Sequence, residues 1–358
     1  MKPTILILIG ITGDLAKRKL LPAIDSLKAR GLLPAQFKLM GVTRRDDAEL
    51  FKMDLDDPAD YQRLKEYLES IEKEFGNSAQ RLFYLSVAPM VSMPIIKRLG
   101  ESGLAAVPDT KLLLEKPFGR DQENAAALVT DIARYFSDEQ VYRVDHYLQK
   151  DCVRALSTRR MEESALERIE IIASESIGIE GRGNFYEQTG ALRDFVQSHL
   201  LETAAMVVSP CDRLAALKEF SIPTPIAEHV KRGQYIGYRE AVRNPDSVVE
   251  TLVSITLNTK NNFPIVLKTG KALDRKTTDI HIFYKDKASE VISLHNGSNA
   301  YEHVFLDAMQ GRKEFFVSKE EVLETWRILA PVQEAWQQSS ADLFFYPQGS
   351  DIGYTAHI

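Results

Sequence analysis

Apolar and polar residues follow one another in the first part of the chain in blocks that suit a parallel α/β fold. The run from Thr4 to Ile9 is apolar without interruption, which is typical of a strand buried on both faces of a parallel sheet. Apolar residues then recur at helical spacing from Leu15 to Leu27, and Gly31 ends that pattern. Further strands are predicted at 37–42, 82–87, 111–114 and 141–144. Because helical patterns separate these runs, they predict a Rossmann-type, doubly wound coenzyme domain.

The pattern changes after about residue 150. Strand-like runs with partial alternation occur at 169–173, 248–257, 264–268 and 279–284. Regular crossover helices do not separate them, so we predict a second, α+β domain with a largely antiparallel sheet. Helices are predicted at 192–208, 300–309 and 319–336. The last two either pack on this sheet or return to the first domain. We therefore predict a dinucleotide-binding domain at 1–150 and a substrate-binding domain at 151–358, with a loose tail from Pro347.

Composition narrows the class of protein. The 358 residues carry 45 Lys and Arg against 51 Asp and Glu, a net charge of −6 that gives no positive field for nucleic acid. Two cysteines, Cys152 and Cys211, form neither a disulfide framework nor a CxxC motif, which favours a reducing cytoplasm. The apolar run Ile5 to Ile9 is too short for a signal peptide or a membrane span. We expect a cytoplasmic protein without a nucleic-acid or membrane partner.

Two junctions of the first domain have the chemistry of a dinucleotide site. Gly10 and Gly13 lie between the first strand and the first helix, where backbone N–H groups can approach a pyrophosphate, and Asp14 is expected to cap that helix. The spacing is only G-x-x-G, so a plain turn is the alternative. Arg44 and Arg45 end the second strand, where an arginine suits the 2′-phosphate of NADP and an acid would suit NAD. Ordinary surface arginines are the alternative there.

Two later segments add candidate residues at strand ends. Lys116 follows the strand at 111–114 and precedes Pro117, and the bond between them can be cis. His146, Tyr147 and Lys150 follow the strand at 141–144 and are donors of the kind that bind phosphate. A polar helix start is the alternative interpretation of that cluster.

Six segments together resemble one known family. GDLAKRK, LFYLSVAP, EKPFGRD, RVDHYLQKD, EGRGNFYEQTGALRDFVQSHLLE and TGKAL occur here in the order found in glucose-6-phosphate dehydrogenases. The resemblance covers nearly the whole chain. It implies NADP-dependent oxidation of glucose 6-phosphate at C1 to 6-phosphogluconolactone, without a metal, at the entry to the oxidative pentose phosphate pathway.

The resemblance also implies roles for individual residues. Those implied for coenzyme binding are Gly10, Thr12, Gly13, Asp14, Leu15, Lys19, Arg44 and Lys116. Those implied for substrate binding are Lys116, His146, Tyr147, Lys150, Glu175, Asp194 and Lys271. Those implied for catalysis are His199, Asp194 and Lys116.

The pair Asp194 and His199 suits this chemistry on physical grounds as well. A neutral His199 can accept the proton that the C1 hydroxyl loses, while Asp194 orients the ring and stabilises the imidazolium. Residues five apart do not share one face of an α-helix, so a loop or an irregular turn is predicted near Asp194. A core histidine is the alternative for His199.

Several positions depart from the family pattern. Ser198, Gln149 and Lys268 stand where the family usually has Asn, Gly and Arg. A short charged stretch at 157–167 replaces a family segment, and the chain between Lys271 and Tyr301 is shorter than in the family. Because that region normally supplies the dimer sheet, we expect a monomer or a dimer formed by another face. A related hexose 6-phosphate as substrate, and a catalytically silent nucleotide-binding paralogue, remain alternatives.

Overall fold

The computed structural model of the protein describes residues 1–45, 47, 49–159, 163–261, 263–294 and 299–353. These residues form two compact units. Unit 1 contains Met1–Phe118, Ala126–Gln149 and Ser298–Lys319, and unit 2 contains Gly119–Ala125, Lys150–Gly297 and Glu320–Ile358. The largest difference from the predicted division at residue 150 is that Ser298–Lys319 belongs to unit 1.

Helices and strands alternate along the chain as follows. The α-helices are α1 (Leu21–Ala29), α2 (Pro58–Phe75), α3 (Pro89–Glu101), α4 (Gln122–Ala133), α5 (Asp151–Arg154), α6 (Gly183–Ala191), α7 (Leu201–Val208), α8 (Arg213–Glu219), α9 (Ile226–His229), α10 (Tyr238–Val242), α11 (Ala300–Gln310) and α12 (Lys319–Gln338). Two π-helices, Ala16–Leu20 and Leu192–Leu200, precede α1 and α7. Short 3₁₀ turns lie at Asp138–Gln140, Ala155–Thr158 and Glu163–Ala165. Among the described residues, no helix is long and apolar enough to cross a membrane.

The strands form two sheets. Their bounds are β1 (Thr4–Ile9), β2 (Phe37–Thr43), β3 (Phe51–Lys52), β4 (Gln80–Leu85), β5 (Thr110–Glu115), β6 (Val141–Val144), β7 (Leu166–Ser174), β8 (Val230–Tyr235), β9 (Leu252–Asn258), β10 (Pro264–Gly270), β11 (Thr277–Tyr284), β12 (Glu290–Ser293) and β13 (Leu343–Tyr346). The first six strands belong to unit 1 and the other seven to unit 2.

The sheet of unit 1 is parallel throughout, in the order β3-β2-β1-β4-β5-β6. This is the strand order of a doubly wound dinucleotide-binding fold, as predicted. The central strand β1 has parallel neighbours on both sides, and all six of its residues are buried. Its uninterrupted apolar run follows from that position, since helices cover both faces of such a sheet.

Helix α11 completes the core of unit 1 although it comes from the far end of the sequence. Tyr301, Val304, Phe305 and Ala308 are buried in the same cluster as residues of α1 and β1. The Phe305 ring lies 5.7 Å from the ring of Tyr84 on β4. The segment therefore belongs to unit 1, which decides between the two placements that the sequence left open.

Gln149 ties the end of unit 1 to the segment that follows α11. Its side chain is wholly buried, and Nε2 donates to the carbonyl oxygen of Phe315 at 3.0 Å. The family's usual glycine has no side chain to make this bond. The departure at Gln149 thus has a structural use here.

The sheet of unit 2 is mixed, in the order β12-β11-β7-β10-β9-β8-β13. The pairs β7/β10 and β8/β13 are parallel, and the other four pairs are antiparallel. The predicted largely antiparallel sheet is confirmed. The sequence analysis had no prediction for β8, β12 and β13.

The predicted loose tail is wrong for residues 347–353. The backbone N–H of Gly349 donates to Ala272 at 2.7 Å, and Ser350 accepts from the N–H of Asp274 at 3.0 Å. Ile352 is buried in the apolar cluster of unit 2. Residues 354–358 lie outside the described part of the chain, as do residues 160–162 of the charged stretch at 157–167.

Candidate active site

The turn after β1 leaves no room for a side chain at its first residue. Gly10 has a positive φ of 89°, and a Cβ there would collide with the carbonyl oxygen of Ser86. The N–H of Gly13 donates to the Gly10 carbonyl at 2.9 Å, which closes the turn immediately before the helix. This is the close backbone approach that a pyrophosphate site requires, so the turn fits a dinucleotide.

The other predicted coenzyme residues of this turn are placed around the first helical residues. Thr12 and Lys19 are exposed and Leu15 is half-buried. Asp14 does not cap the helix as predicted, because it already lies within the first helical turn. Its carboxylate instead pairs with Arg18 at 2.8 Å on the exposed side.

Arg44 and Arg45 follow the end of β2 and are both exposed. The N–H of Arg45 donates to the hydroxyl of Thr43 at 3.2 Å, which holds the chain at this strand end. In this fold the coenzyme's adenosine ribose is bound at this position. The guanidinium groups therefore fit a 2′-phosphate.

The end of β5 carries Lys116 and a buried polar cluster next to it. The bond between Lys116 and Pro117 is cis, as the sequence allowed. Glu115 accepts a hydrogen bond from the hydroxyl of Tyr84, and Tyr301 of α11 also hydrogen-bonds it. Burial raises the pKa of Glu115 to about 7, against the lowering effects of these bonds and of Lys116.

The end of β6 carries Asp145, His146 and Tyr147. Asp145 is buried, and its Oδ1 accepts from the backbone N–H of Tyr147 at 2.8 Å, which fixes the turn. The His146 ring stacks on Tyr301, with ring centroids 6.1 Å apart and planes 14° from parallel. Within unit 1, α11 therefore supports both the Glu115 cluster and the predicted phosphate-binding histidine. Lys150, the third predicted phosphate donor, is half-buried immediately before α5.

In unit 2 the parallel pair β7/β10 brings two predicted residues together. Ser174 and Gly270 are paired in register, so the next residues, Glu175 and Lys271, leave the sheet side by side. Their side chains form an ion pair. The Lys271 ammonium also lies 5.2 Å from the ring centroid of Tyr186, which is a cation–π contact.

The π-helix Leu192–Leu200 carries the predicted catalytic pair. A π-helix bonds residue i to i+5 and has about 4.4 residues per turn, so residues five apart differ by only about 50° around its axis. In an α-helix the same residues would differ by about 140°. Asp194 and His199 therefore face nearly the same direction, and the predicted irregularity is confirmed in this form. His199 is only 1% exposed, and Ser198 donates to the Asp194 carbonyl at 2.8 Å.

Several residues at these places were not predicted. In unit 1 they are Tyr84, Glu115, Asp145 and Tyr301, and in unit 2 they are Tyr186 and Glu250. Burial raises the pKa of Tyr186 well above its usual value, and the nearby carboxylates of Asp194, Glu250 and Glu175 add to this. Glu115, Asp145 and Tyr186 stand in the motifs EKPFGRD, RVDHYLQKD and EGRGNFYEQTG, which was the available signal.

Comparison with protein families matches both units. The family described as "Glucose-6-phosphate dehydrogenase, NAD binding domain" matches residues 7–50 and 46–155. The family described as "Glucose-6-phosphate dehydrogenase, C-terminal domain" matches residues 155–299 and 292–357. The chain belongs to the glucose-6-phosphate dehydrogenase family. This is a family of oxidoreductases that act on CH–OH groups and use NADP.

Relatives in the glucose-6-phosphate dehydrogenase family match most of the chain. The glucose-6-phosphate 1-dehydrogenase of Chlamydia pneumoniae is 29% identical, over 97% of this chain and 92% of the relative. That of Bacillus subtilis (strain 168) is 32% identical, over 79% of this chain and 71% of the relative. The first alignment extends over 473 positions, more than the 358 residues of this chain, so part of that relative has no counterpart here.

Solved structures of the glucose-6-phosphate dehydrogenase family share the fold. One, a glucose-6-phosphate dehydrogenase in complex with its substrate glucose-6-phosphate, has a TM-score of 0.87 at 22% identity and covers 98% of this chain and 95% of that chain. The enzyme from Mycobacterium avium has a TM-score of 0.80 at 25% identity, covering 97% of this chain and 95% of that chain.

Proposed function

We propose that the protein oxidises glucose 6-phosphate at C1 to 6-phosphogluconolactone with NADP as coenzyme. The observation that carries this proposal is the π-helix Leu192–Leu200, which turns Asp194 and His199 to nearly the same face. Two side chains at this spacing are of use together only in such a helix. Membership of the family supports the same reaction.

His199 is the general base of the proposed reaction. A neutral imidazole takes the proton from the C1 hydroxyl as the carbonyl of the lactone forms. Asp194 orients that ring and stabilises the imidazolium, as a carboxylate does in a catalytic triad. The near-complete burial of His199 supports this role, because bulk water then competes little for the proton.

The sugar is held by charge and by hydroxyl acceptors. His146, Tyr147 and Lys150 bind the phosphate, which is a dianion that accepts charge-assisted hydrogen bonds. Glu175 and Asp194 accept from sugar hydroxyls.

Two lysines complete the proposed substrate contacts. Lys271 donates to the sugar, and its ion pair with Glu175 supports this by fixing both side chains. Lys116, at the end of β5, contacts the coenzyme and the sugar.

NADP, when bound, supplies the hydride acceptor. Gly10, Thr12, Gly13, Asp14 and Leu15 form the turn that receives its pyrophosphate. Lys19 adds positive charge beside that turn, and Arg44 binds the 2′-phosphate.

We further propose a cytoplasmic location and a monomer, or a dimer formed by a face other than the family's sheet. The two separate cysteines support the location. The shortened chain between Lys271 and Tyr301 supports the assembly state, which light scattering measures. A stable dimer joined through the sheet of unit 2 would contradict it.

The experiment that tests the function follows the absorbance of reduced coenzyme. The protein is given glucose 6-phosphate, free glucose, other hexose 6-phosphates and amino-sugar phosphates, each with NADP and with NAD. Glucose 6-phosphate with NADP should give the highest kcat/KM. A higher value for another hexose 6-phosphate would change the substrate, and no turnover in any pair would indicate the silent paralogue.

The Lys150→Ala variant tests the phosphate contact. An ionised hydrogen bond of this kind is typically worth about 1.5–3 kcal/mol, so kcat/KM for glucose 6-phosphate should fall by about 10- to 150-fold. Free glucose should lose much less. The exposed Lys73 of α2 is the matched control, and Lys73→Ala should change neither substrate. Equal losses on both sugars in Lys150→Ala would place Lys150 away from the phosphate.

A further inference from the structure

The π-helix of unit 2 begins at a break in the helical backbone. Gly190 has φ 61° and ψ 179°, between α6 and the π-helix, and this conformation is open essentially to glycine alone. The helical hydrogen bonds of α6 are interrupted there. The first N–H groups after the break therefore need other acceptors.

One residue from a different element supplies these acceptors. The backbone carbonyl of Glu250 accepts from the N–H of Ala191 at 3.1 Å, and its Oε1 accepts from the N–H of Leu192 at 2.9 Å. Glu250 is 6% exposed, and its carboxylate fills the space that a Cβ on Gly190 would occupy. The start of the π-helix is thus fixed by one side chain, its own backbone and the missing Cβ of one glycine.

The start of a helix determines the direction in which every later residue points. Asp194 and His199 follow Leu192 by two and seven positions. A rotation at the first residue, or a return to α-helical hydrogen bonding, would turn both side chains about the helix axis. Removal of the Oε1 acceptor leaves the Leu192 N–H buried without its partner, which favours such a change.

The next residue of the same segment holds the other side of the sugar site in unit 2. The carbonyl of Thr251 accepts from the N–H of Lys271 at 2.9 Å, and its hydroxyl lies 2.8 Å from the hydroxyl of Tyr346. The Tyr346 hydroxyl also lies 2.8 Å from the Lys271 carbonyl, to which it donates. Consecutive residues thus hold the π-helix and the backbone of Lys271.

We propose that Glu250 is a positioning residue for the dehydrogenase reaction, which fixes the rotation of the π-helix that carries Asp194 and His199. This inference rests on the proposed function. Glu250 acts through the helix and not on the substrate, so its removal should lower kcat and leave the KM for NADP unchanged.

Three substitutions at this position test the inference. Glu250→Gln keeps the Oε1 acceptor and the shape, so kcat should stay within about threefold of the unchanged protein. Glu250→Ala removes the acceptor, and kcat should fall at least tenfold. Glu250→Asp withdraws the carboxylate by one methylene and should fall between the two, which keeps the test usable if the Ala variant does not fold.

A control separates positioning from stability. Glu187 of α6 accepts from Tyr238, Asn244 and Ser247 at 2.7–2.8 Å in the same unit, and none of these donors belongs to the π-helix. Glu187→Ala should lower Tm with kcat within about threefold. The inference is overturned if Glu250→Ala and Glu250→Asp keep full kcat while only Tm falls, or if Glu250→Gln loses as much kcat as Glu250→Ala.

The outcomes also distinguish this inference from the function on which it rests. An unchanged protein without turnover on the sugar panel contradicts the proposed function. An unchanged protein with turnover, together with fully active Glu250→Ala and Glu250→Asp variants, contradicts only the role of Glu250.

Discussion

Unit 1 and unit 2 hold their candidate residues by different means. In unit 1 these residues follow the carboxyl ends of β1, β2, β5 and β6, which all lie along one edge of a parallel sheet. In unit 2 they come from the parallel pair β7/β10 inside a mixed sheet and from an irregular helix. A sheet edge presents backbone and side chains at fixed places, whereas a helix directs them by its rotation. The comparison suggests that unit 1 serves binding and that unit 2 serves proton transfer.

The largest effect that would sharpen this contrast is expected at His199. His199→Asn keeps polarity and approximate size but removes the basic nitrogen, so kcat should fall by about 10²–10⁴-fold. Coenzyme and sugar should still bind, as measured by fluorescence titration. His281→Asn on β11 is the control and should keep its turnover.

The pH profile tests the carboxylate that acts with His199. In the unchanged protein kcat/KM should fall on the acid side, because protonated His199 cannot accept a proton. Asp194→Asn should slow turnover and move this fall to lower pH, since the charge that stabilises the imidazolium is gone. If Asp145→Asn moves it and Asp194→Asn does not, the pairing assigned to Asp194 is wrong. Near-normal turnover in His199→Asn would break the contrast between the units.

The next effect concerns the stability of unit 1. The pKa of Glu115 is about 7 in the folded protein, above its ordinary value, so the folded state keeps a proton that the unfolded chain loses. The free energy of unfolding should therefore fall as pH rises from about 4.5 to 7, by up to about 3 kcal/mol from this group.

Glu115→Gln removes this contribution. The stability of the variant relative to the unchanged protein should rise over the same pH range, as measured by urea unfolding at a series of pH values. A relative stability that is the same at pH 5 and pH 8 would mean that Glu115 is ionised throughout.

The smallest effect is expected at Arg44. Arg44→Ala should raise the KM for NADP by about tenfold, the lower end for an ionised hydrogen bond at an exposed residue. The KM for NAD should stay nearly unchanged, and this coenzyme serves as the internal control. Equal impairment with NADP and NAD would make Arg44 structural and would weaken the binding role of unit 1.

The elements of unit 1 could be predicted because each buried strand is an apolar run with a helical pattern after it. The strand β8 has no such run, since Arg232 and Gln234 are buried in it. Their polar groups are satisfied by Asp342, at 3.0 Å from Arg232, and by the Val249 carbonyl, at 2.8 Å from Gln234. Such partners are distant in the chain, and no local pattern indicates them.

The candidate residues show the same limit. Strand ends and motifs identified Lys116, His146 and Lys271 by position along the chain. The contacts of Glu250 depend on a break at Gly190, sixty residues earlier, and those of Tyr301 on a helix from the far end of the sequence. The spacing of Asp194 and His199 did indicate an irregular helix, because no regular one serves it.

The late position of α11 has a consequence for how the protein is made. The last strand of the unit 1 sheet ends at Val144, but the apolar face that α11 covers stays open until residues 300–310 have been synthesised. At about 5–20 residues per second, translation of the intervening chain takes on the order of 10–30 s. For that time the nascent protein carries an uncovered hydrophobic surface, which makes it a client for ribosome-associated chaperones before it is an enzyme.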